Sequence, residues 1–323
     1  MTAHRIALSV AVLLTLASSL ATAADYPTQA VRIVIPFAAG GQFDAIGRPI
    51  ADYLTRKLGR PFLIESRSGA GGSTGATYVA QSKPDGYTLL FGSTSTFAVN
   101  PAVYKHLSYD PVKSFVPIIT VTEAPLILQT NSNTGFRTVA DLIRAATANP
   151  SRYSFASPGP GTPPQLFGEV LNRDGNIKLL HVPYSGGSTA VNDLVAGHVD
   201  VFFDSLASSV SLAQGGKVVP LMVAGPKRVS AFPDVPTAKE VGLPALDVLT
   251  WNAFAAPAGT PNEIVQLLYR EIGASLKAPE VRDAILRVNM TPVEGGEREM
   301  EERIAASIPV WKAMAASVGA LVE

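Results

Sequence analysis

The chain has 323 residues, no cysteine, and 26 basic and 26 acidic side chains, and 47% of its residues are hydrophobic. A near-neutral chain with no basic run lacks the footprint of a nucleic-acid-binding protein, and the absence of cysteine excludes disulfides, thiol nucleophiles and cysteine-ligated metals. The length exceeds one comfortable hydrophobic core, so about two domains are expected.

The N-terminal segment has the pattern of a secretory signal peptide. Arg5 precedes an apolar stretch over residues 6–20, and Ala21-Thr22-Ala23 forms an A-x-A cleavage site. An uncleaved membrane anchor is the alternative, but the apolar stretch is shorter than the roughly 20 residues that a spanning helix needs. We therefore predict cleavage after Ala23 and a monomeric protein in the periplasm.

The next part of the chain alternates short apolar strands with helices. The predicted elements are a strand at 31–35, a helix through 46–58, a strand at 62–65, a helix at 74–81, and a strand at 87–91 that ends before a loop at 92–95. This alternation predicts an α/β fold with parallel, doubly wound sheets.

Glycine and proline set the predicted ends of the first of these helices. Its apolar residues recur every four positions, and Gly59 is expected to end it. Pro49 fits the first turn of a helix but not its interior, so the regular helix is expected to start near Gly47.

A second unit of the same kind follows. Its predicted elements are strands or extended segments at 126–129, 153–156, 179–183, 199–203 and 218–224 and helices at 139–147, 166–171 and 188–196. The chain then has an extended segment at 248–256 and helices at 262–276 and 297–318. If 126–247 is an insertion, extended crossovers near Val121 and Thr250 join one lobe made of 24–125 and 248–323 to a second lobe, and Trp251 packs near the crossover.

Two strands run directly into glycine-bearing turns that lead into helices. The first turn covers 36–44 and contains Gly40 and Gly41, and the second covers 157–162 and contains Gly159 and Gly161. Glycine lets backbone N–H groups approach a ligand closely, and the start of a helix carries unsatisfied donors and partial positive charge. Two such turns facing each other would hold a dicarboxylate at both ends.

Short sequence blocks along the chain resemble a known family. They are YP at 26–27, PFxxGGxxD at 36–44, GAGG at 69–72, PDGYTL at 84–89, NP at 100–101, YDP at 109–111, HVPY at 181–184, FPDVPT at 232–237 and APxGTP at 256–261. Together they resemble the periplasmic solute receptors of tripartite tricarboxylate transporters, the TctC or Bug receptors. The resemblance implies a type II periplasmic binding protein, with two doubly wound α/β lobes that close on a small carboxylate and deliver it to membrane permease subunits.

The resemblance also implies which residues line the cleft, mainly through main-chain amides and hydroxyls. The expected ligand-binding residues are Phe37, Ala38, Gly40, Gly41, Asp44, Ser93, Ser157, Gly159, Gly161, Thr162, Tyr184, Ser188 and Asp204. The second loop departs from the family, because SPGPGTPPQ at 157–165 replaces the usual Ser-Ala-Gly-x-Gly-Ser/Thr and a following histidine. Each proline removes a possible donor, so the distal end of the ligand is expected to differ.

Several of these residues also have an ordinary structural interpretation. Asp44 suits a helix N-terminus, with a secondary role in the pocket. Asp204 follows a buried strand, where it could hold neighbouring turns or contact the ligand. Phe37 and Tyr184 could simply pack, although their positions in the turns favour pocket walls.

Other functions are less well supported. Residues 71–75 satisfy G-x-S-x-G around Ser73, but a nucleophile elbow needs a strand that enters the turn directly, and the strand at 62–65 ends too early. The histidines have no zinc-ligand spacing, so neither a metal nor a cofactor is predicted. A receptor that signals to a membrane sensor kinase would use the same cleft and remains an alternative output.

Overall fold

The computed structural model describes residues 26–321, so the predicted signal peptide and its cleavage site lie outside the described residues. Within 26–321, no helix has both the length and the apolar character needed to cross a membrane. The strands are β1 (Val31–Ile35), β2 (Phe62–Ser66), β3 (Thr88–Ser93), β4 (Phe115–Ala124), β5 (Leu126–Asn131), β6 (Ser154–Ser157), β7 (Leu180–Pro183), β8 (Val201–Ser205), β9 (Val218–Ala224), β10 (Thr250–Pro257) and β11 (Thr291–Gly295).

Helices lie between and after these strands. They are α1 (Gln42–Leu58), α2 (Ser73–Ala80), α3 (Asn100–Val103), α4 (Val139–Ala148), α5 (Pro163–Asp174), α6 (Gly187–Ala196), α7 (Leu206–Gln214), α8 (Asn262–Ser275), α9 (Pro279–Arg287) and α10 (Glu297–Val318). Short 3₁₀ turns at Ala70–Gly72, Ser132–Thr134 and Pro244–Leu246 and a π-helical turn at Ser95–Val99 complete the described secondary structure.

The strands form two sheets, and each sheet is the centre of one lobe. Lobe 1 has the six-stranded order β11-β4-β10-β3-β1-β2, and lobe 2 has the five-stranded order β7-β6-β8-β5-β9. The chain passes from lobe 1 to lobe 2 between β4 and β5 and returns between β9 and β10. The domain boundaries at 24–125, 126–247 and 248–323 stay a prediction.

The sheets are mixed, so the expectation of wholly parallel sheets is wrong. β1 pairs in parallel with β2 and β3, and β6 pairs in parallel with β7 and β8, but β10 is antiparallel to β3 and β4, and β5 is antiparallel to β8 and β9. The reason is the path between lobes. β5 and β10 enter their sheets from the other lobe, without the helical crossover that keeps consecutive strands parallel.

The parallel strands bring the predicted turns to the sheet edges where they end. β1 and β3 end at Ile35 and Ser93, and β6 and β8 end at Ser157 and Ser205. The loop predicted at 92–95 is partly strand, because β3 continues through Ser93 and its pairing with β10 reaches that residue. The carboxyl ends of these strands are where α/β proteins bind ligands.

Helix α1 begins earlier than expected. It starts at Gln42 with Pro49 inside it, so the predicted start near Gly47 is wrong. The interior proline removes one helical hydrogen bond, and complete burial of Ile46, Ile50 and Leu54 against the core offsets that cost. Gly59 ends the helix as predicted, with a φ of 71°.

The C-terminal helix α10 packs against both lobes. Near its start, Met300 and Ile304 join the apolar cluster that contains Trp251 and Ala253 of β10. Near its end, Trp311 joins the main apolar cluster of lobe 2 and stacks on Phe167, with ring centroids 5.6 Å apart. Helix α10 therefore packs across both lobes, and we call it the strap.

Candidate ligand-binding site

The turn between β1 and α1 presents free backbone donors to solvent. Ala38, Ala39 and Gly40 are exposed, and Gly41, the residue before α1, is half-buried and has no side-chain cap. Because the first amides of an α-helix have no partner inside the helix, the amides of Gly41 and Gln42 are unpaired, within the described structure. The 17-residue helix behind them adds partial positive charge.

The side chain of Asp44 bonds to the backbone of the first turn. Its carboxylate accepts a hydrogen bond from the Gly40 amide and forms an ion pair with Arg48, with Oδ1 2.9 Å from Nη2. The side chain is buried. These contacts fit the structural interpretation, while contact between Asp44 and a ligand stays a prediction.

Phe37 lies between the first turn and the core. Its ring stacks on Phe43 at a centroid distance of 4.7 Å, and its Cζ would lie 3.2 Å from a methyl group placed on Gly72. Ser93, at the end of β3, is buried, and its Oγ accepts a hydrogen bond from Ser95. Phe37 and Gly72 therefore meet beside the turn, while Ser93 shapes the adjoining backbone.

The second turn, after β6, bonds mainly to itself. The Gly159 amide donates to Ser157 Oγ at 3.2 Å, and the Gly161 amide donates to Gln165 Oε1 at 3.0 Å. The Thr162 hydroxyl donates to the Gly159 carbonyl oxygen at 2.7 Å. The amides of Gly159 and Gly161 are therefore engaged, whereas those of Gly41 and Gln42 in the first turn have no partner in the described structure.

Ser157 is fixed by a histidine from the neighbouring strand. Its Oγ lies 2.7 Å from His181 Nε2, and the imidazole stacks on Phe155 at 4.8 Å between ring centroids. Burial lowers the pKa of His181, which favours the neutral ring at neutral pH. The serine is completely buried and supports the turn from within lobe 2.

The two lobes touch where the second turn meets a glycine loop of lobe 1. A methyl group placed on Gly71 would lie 2.8 Å from the Pro160 carbonyl oxygen, and one placed on Gly161 would lie 2.6 Å from Tyr104 Cε2. The Tyr104 hydroxyl donates to the Pro160 carbonyl oxygen at 3.3 Å. The structure thus describes the lobes in contact across the cleft.

Asn100 lies at this contact and was not predicted from the sequence as a site residue. Its Nδ2 donates to the Gly71 carbonyl oxygen at 3.1 Å and to the Tyr109 hydroxyl at 3.3 Å. Its Oδ1 is buried without a hydrogen-bond partner in the described chain. That oxygen would lie 3.0 Å from a methyl group on Gly71 and 2.9 Å from one on Gly161, so it points between the lobes.

Tyr184 borders the second turn, and Ser188 follows it in α6. The carbonyl oxygen of Tyr184 would lie 3.2 Å from a methyl group on Gly159, and its hydroxyl donates to Asp193 Oδ2 at 2.8 Å. Ser188 is exposed in the first turn of α6. Tyr184 therefore adjoins the site, and contact between Ser188 and a ligand stays a prediction.

Asp204 lies in a buried polar group inside lobe 2. Its carboxylate accepts hydrogen bonds from Gln129 Nε2 at 3.1 Å and from the Ser205 amide at 2.7 Å, and Gln129 Oε1 has no partner in the described residues. Burial raises the pKa of the Asp204 carboxyl to about 6. These contacts hold β5, β8 and α7 together, and a ligand contact stays a prediction.

Replacing Asp204 with asparagine is expected to stabilise the protein at neutral pH more than in acid. The folded state binds the proton more tightly than the unfolded chain, whose pKa is 3.8, so the wild type loses stability as the pH rises from the unfolded pKa through the folded value of about 6. The Asp204→Asn variant should gain roughly 2–3 kcal/mol relative to the wild type between pH 4 and pH 7, and its amide can donate to Gln129 Oε1.

The measurement is the free energy of unfolding from urea titrations at both pH values. His181 titrates in both proteins and cancels in the difference. A difference between the two proteins that does not change with pH would contradict a strained carboxylate at this position.

The structure does not build a nucleophile elbow at Ser73. β2 ends at Ser66, a 3₁₀ turn at Ala70–Gly72 intervenes, and Ser73 is the first residue of α2. Trp251 packs at the crossover as predicted: it is buried and stacks on Phe97 at 5.7 Å. Among the described residues, no group of three histidine, aspartate or glutamate side chains could hold a metal ion.

Two cavities outside the cleft are less suited to an anion. One, of about 490 Å³, lies between α8 and α10 and is bordered by Arg298 and by Glu297, Glu299 and Glu302. The other, of about 540 Å³, lies in lobe 2, where Arg137 and Asp234 border it and the remaining lining is mostly apolar. Three glutamates outnumber the one arginine in the first cavity, and the second has one residue of each charge, whereas the first turn in the cleft offers amides.

Comparisons with known proteins agree with this architecture. The profile of the tripartite tricarboxylate transporter family receptor, TctC, matches residues 46–320. Protein BugT of Bordetella pertussis is 31% identical over 300 residues, which cover 93% of this chain and 92% of BugT.

Two solved structures are similar over almost their whole length. R. palustris Rpa4515 with adipate is 32% identical, with a TM-score of 0.86. The aligned region covers 91% of this chain and 99% of the Rpa4515 chain. MatC from Rhodopseudomonas palustris with bound malate is 31% identical, with a TM-score of 0.84. The aligned region covers 90% of this chain and 99% of the MatC chain. With its two α/β lobes, this chain belongs to the TctC family of tripartite tricarboxylate transporter receptors, a family of solute-binding proteins and not of enzymes.

Proposed function

We propose that this protein is a periplasmic receptor that captures a small carboxylate between its lobes and delivers it to the membrane permease subunits of a tripartite transporter. The predicted leader, cleaved after Ala23, would export it, and it would act as a monomer. Binding without chemistry fits a cleft in which backbone amides are the main recognition groups.

The observation that carries this proposal is the exposed turn before α1. Its amides at Gly41 and Gln42 have no partner in the described structure, and they lie at the positive end of a long helix on the rim of an interlobe cleft. The structures of Rpa4515 with adipate and MatC with malate are relatives whose ligands are carboxylates. Their similarity supports the same class of ligand here.

A thermal-shift panel with the mature protein tests the proposal. The panel contains monocarboxylates, dicarboxylates, acidic amino acids and aromatic acids, and each acid is paired with its methyl ester as a matched control without charge. We expect at least one acid at about 100 times its Kd to stabilise the fold by about 2.7 kcal/mol, seen as a higher Tm, while its ester has no effect.

Isothermal titration then measures Kd for the acids that raise the Tm. If no acid raises the Tm, or if esters raise it as much as acids do, the protein is not a carboxylate receptor.

A further inference from the structure

We propose that the preferred ligand carries one carboxylate, bound at the turn before α1, and a hydrogen-bond donor in place of a second anionic group at its other end. The proposal rests on the proposed function and adds the ligand's class to it. The donor would be a hydroxyl, a primary amide or an ammonium group, and it would face the second turn.

Backbone donors are scarce in the second turn. Residues 158–165 include four prolines, which have no N–H group. The amides of Gly159 and Gly161 donate to side chains of lobe 2, and the Gln165 amide donates to the Thr162 carbonyl oxygen at 3.1 Å. Within this described loop, the Thr162 amide alone lacks an acceptor.

The start of α5 is affected in particular. Pro163 and Pro164 occupy its first two positions, where a helix without proline presents free amides. A helix N-terminus that usually attracts an anion is thereby deprived of the N–H groups that would contact one. The matching positions of α1 are Gln42 and Phe43, which keep their N–H groups.

The hydroxyl groups of Ser157 and Thr162 in the second turn, and that of Tyr184, are also engaged. Thr162 Oγ1 donates to the Gly159 carbonyl oxygen, and the Tyr184 hydroxyl donates to Asp193. Ser157 Oγ pairs with His181 Nε2 and accepts the Gly159 amide. A second carboxylate here would lose its hydration without gaining donors, which is costly for an ion.

Acceptors, in contrast, lie where the second turn meets lobe 1. Asn100 Oδ1 is buried and unpaired in the described chain, and it lies between Gly71 of lobe 1 and Gly161 of lobe 2. The carbonyl oxygens of Pro160 and Gly161 lie at the same contact. A buried acceptor without a donor is unfavourable, so a ligand group that donates a hydrogen bond would be selected there.

Ligands matched in length test this proposal. Each set keeps one carboxylate and changes only the other end: succinate against succinamate, 4-hydroxybutanoate and 4-aminobutanoate, and adipate against its monoamide and 6-hydroxyhexanoate. Isothermal titration with the mature protein is expected to give a Kd at least 10-fold lower for a donor-ended acid than for its diacid. A diacid that binds as tightly as its donor-ended partners, or more tightly, overturns the proposal and leaves the carboxylate receptor intact.

A variant separates the loss of donors from other causes. Pro163→Ala combined with Pro164→Ala restores two N–H groups at the start of α5 and is expected to move the preference at least 10-fold towards the diacid. Pro158→Ala, at a half-buried position, is a milder second variant with the same expected direction. Pro279→Ala is the matched control, because it adds an amide at the exposed start of α9, a helix that packs beside the far end of α1.

The outcomes have distinct meanings. A diacid preference in the wild type, or no change of preference in either cleft variant, overturns the inference. Failure of every acid in the panel, including aromatic acids, overturns the proposed function and the inference with it.

Discussion

Replacing Gly161 with alanine is expected to weaken ligand binding about 100-fold, which corresponds to about 2.7 kcal/mol. The added methyl group would lie 2.6 Å from Tyr104 Cε2 and 2.9 Å from Asn100 Oδ1, both in lobe 1. The lobes could then not approach as closely, so the ligand would lose the contacts that it makes with both lobes in the closed state. Isothermal titration with the tightest ligand of the panel measures the effect.

Gly135→Ala is the control for backbone strain. Gly135 also lies in lobe 2 and has a φ of 79°, close to the 73° of Gly161, but a methyl group there meets no atom within 4 Å. Both variants should lose stability by about 1 kcal/mol from the left-handed conformation. If Gly135→Ala weakens binding as much as Gly161→Ala does, or if neither changes Kd, the contact between the lobes does not govern binding.

Replacing Trp311 with alanine is expected to lower the free energy of unfolding by about 3–5 kcal/mol. Its side chain is 1% exposed and fills the space between α10 and the core of lobe 2, where it stacks on Phe167. The cavity left behind would also loosen the end of the strap, where Arg173 bonds Ser317 across the same interface. Urea titration followed by far-UV circular dichroism measures the loss.

Two control variants test whether the loss of stability comes from the buried ring of Trp311. Trp311→Phe keeps an aromatic ring on Phe167 and should lose less than half as much stability. Val310→Ala changes the adjacent residue of α10, which is 47% exposed, and should alter stability by less than about 0.5 kcal/mol. A loss of under 1 kcal/mol for Trp311→Ala would show that α10 does not depend on lobe 2 for its packing.

The predictable part of the fold consists of segments with a strong local pattern. The strands Val31–Ile35 and Val218–Ala224 and the helix Glu297–Val318 have the predicted limits, because continuous apolar runs and helical spacing are visible in the sequence. The helix after Thr138 was also predicted, and its start has a capping box with Asp141.

Two helices were not predicted. The helix Leu206–Gln214 is rich in serine and alanine and shows no clear apolar stripe. The helix Pro279–Arg287 has a stripe of Val281, Ala284 and Ile285, but it spans only nine residues, so few repeats of the pattern are visible in the sequence. The direction of β5 and β10 depends on which lobe the chain comes from, which no local spacing encodes. The connection between the lobes therefore sets the direction of these two strands.

The candidate site shows the same division. The glycine turn before α1 could be found from the sequence, since a strand, glycines and a helix follow one another. The hydrogen bonds within the second turn could not be found in this way, because they depend on where the side chains of Gln165 and Ser157 point in three dimensions. The four prolines were the available signal, and they indicated fewer donors without showing that Asn100 supplies an unpaired acceptor opposite them.

A crystal structure of the mature protein with its tightest carboxylate ligand tests recognition between the lobes most directly. We expect the carboxylate to lie within hydrogen-bond distance of the amides of Gly41 and Gln42, and the other end of the ligand to contact Asn100 and the carbonyl oxygens of Pro160 and Gly161. A ligand found in the cavity beside α8 and α10, or a carboxylate that contacts neither of those amides, would contradict the proposed binding mode.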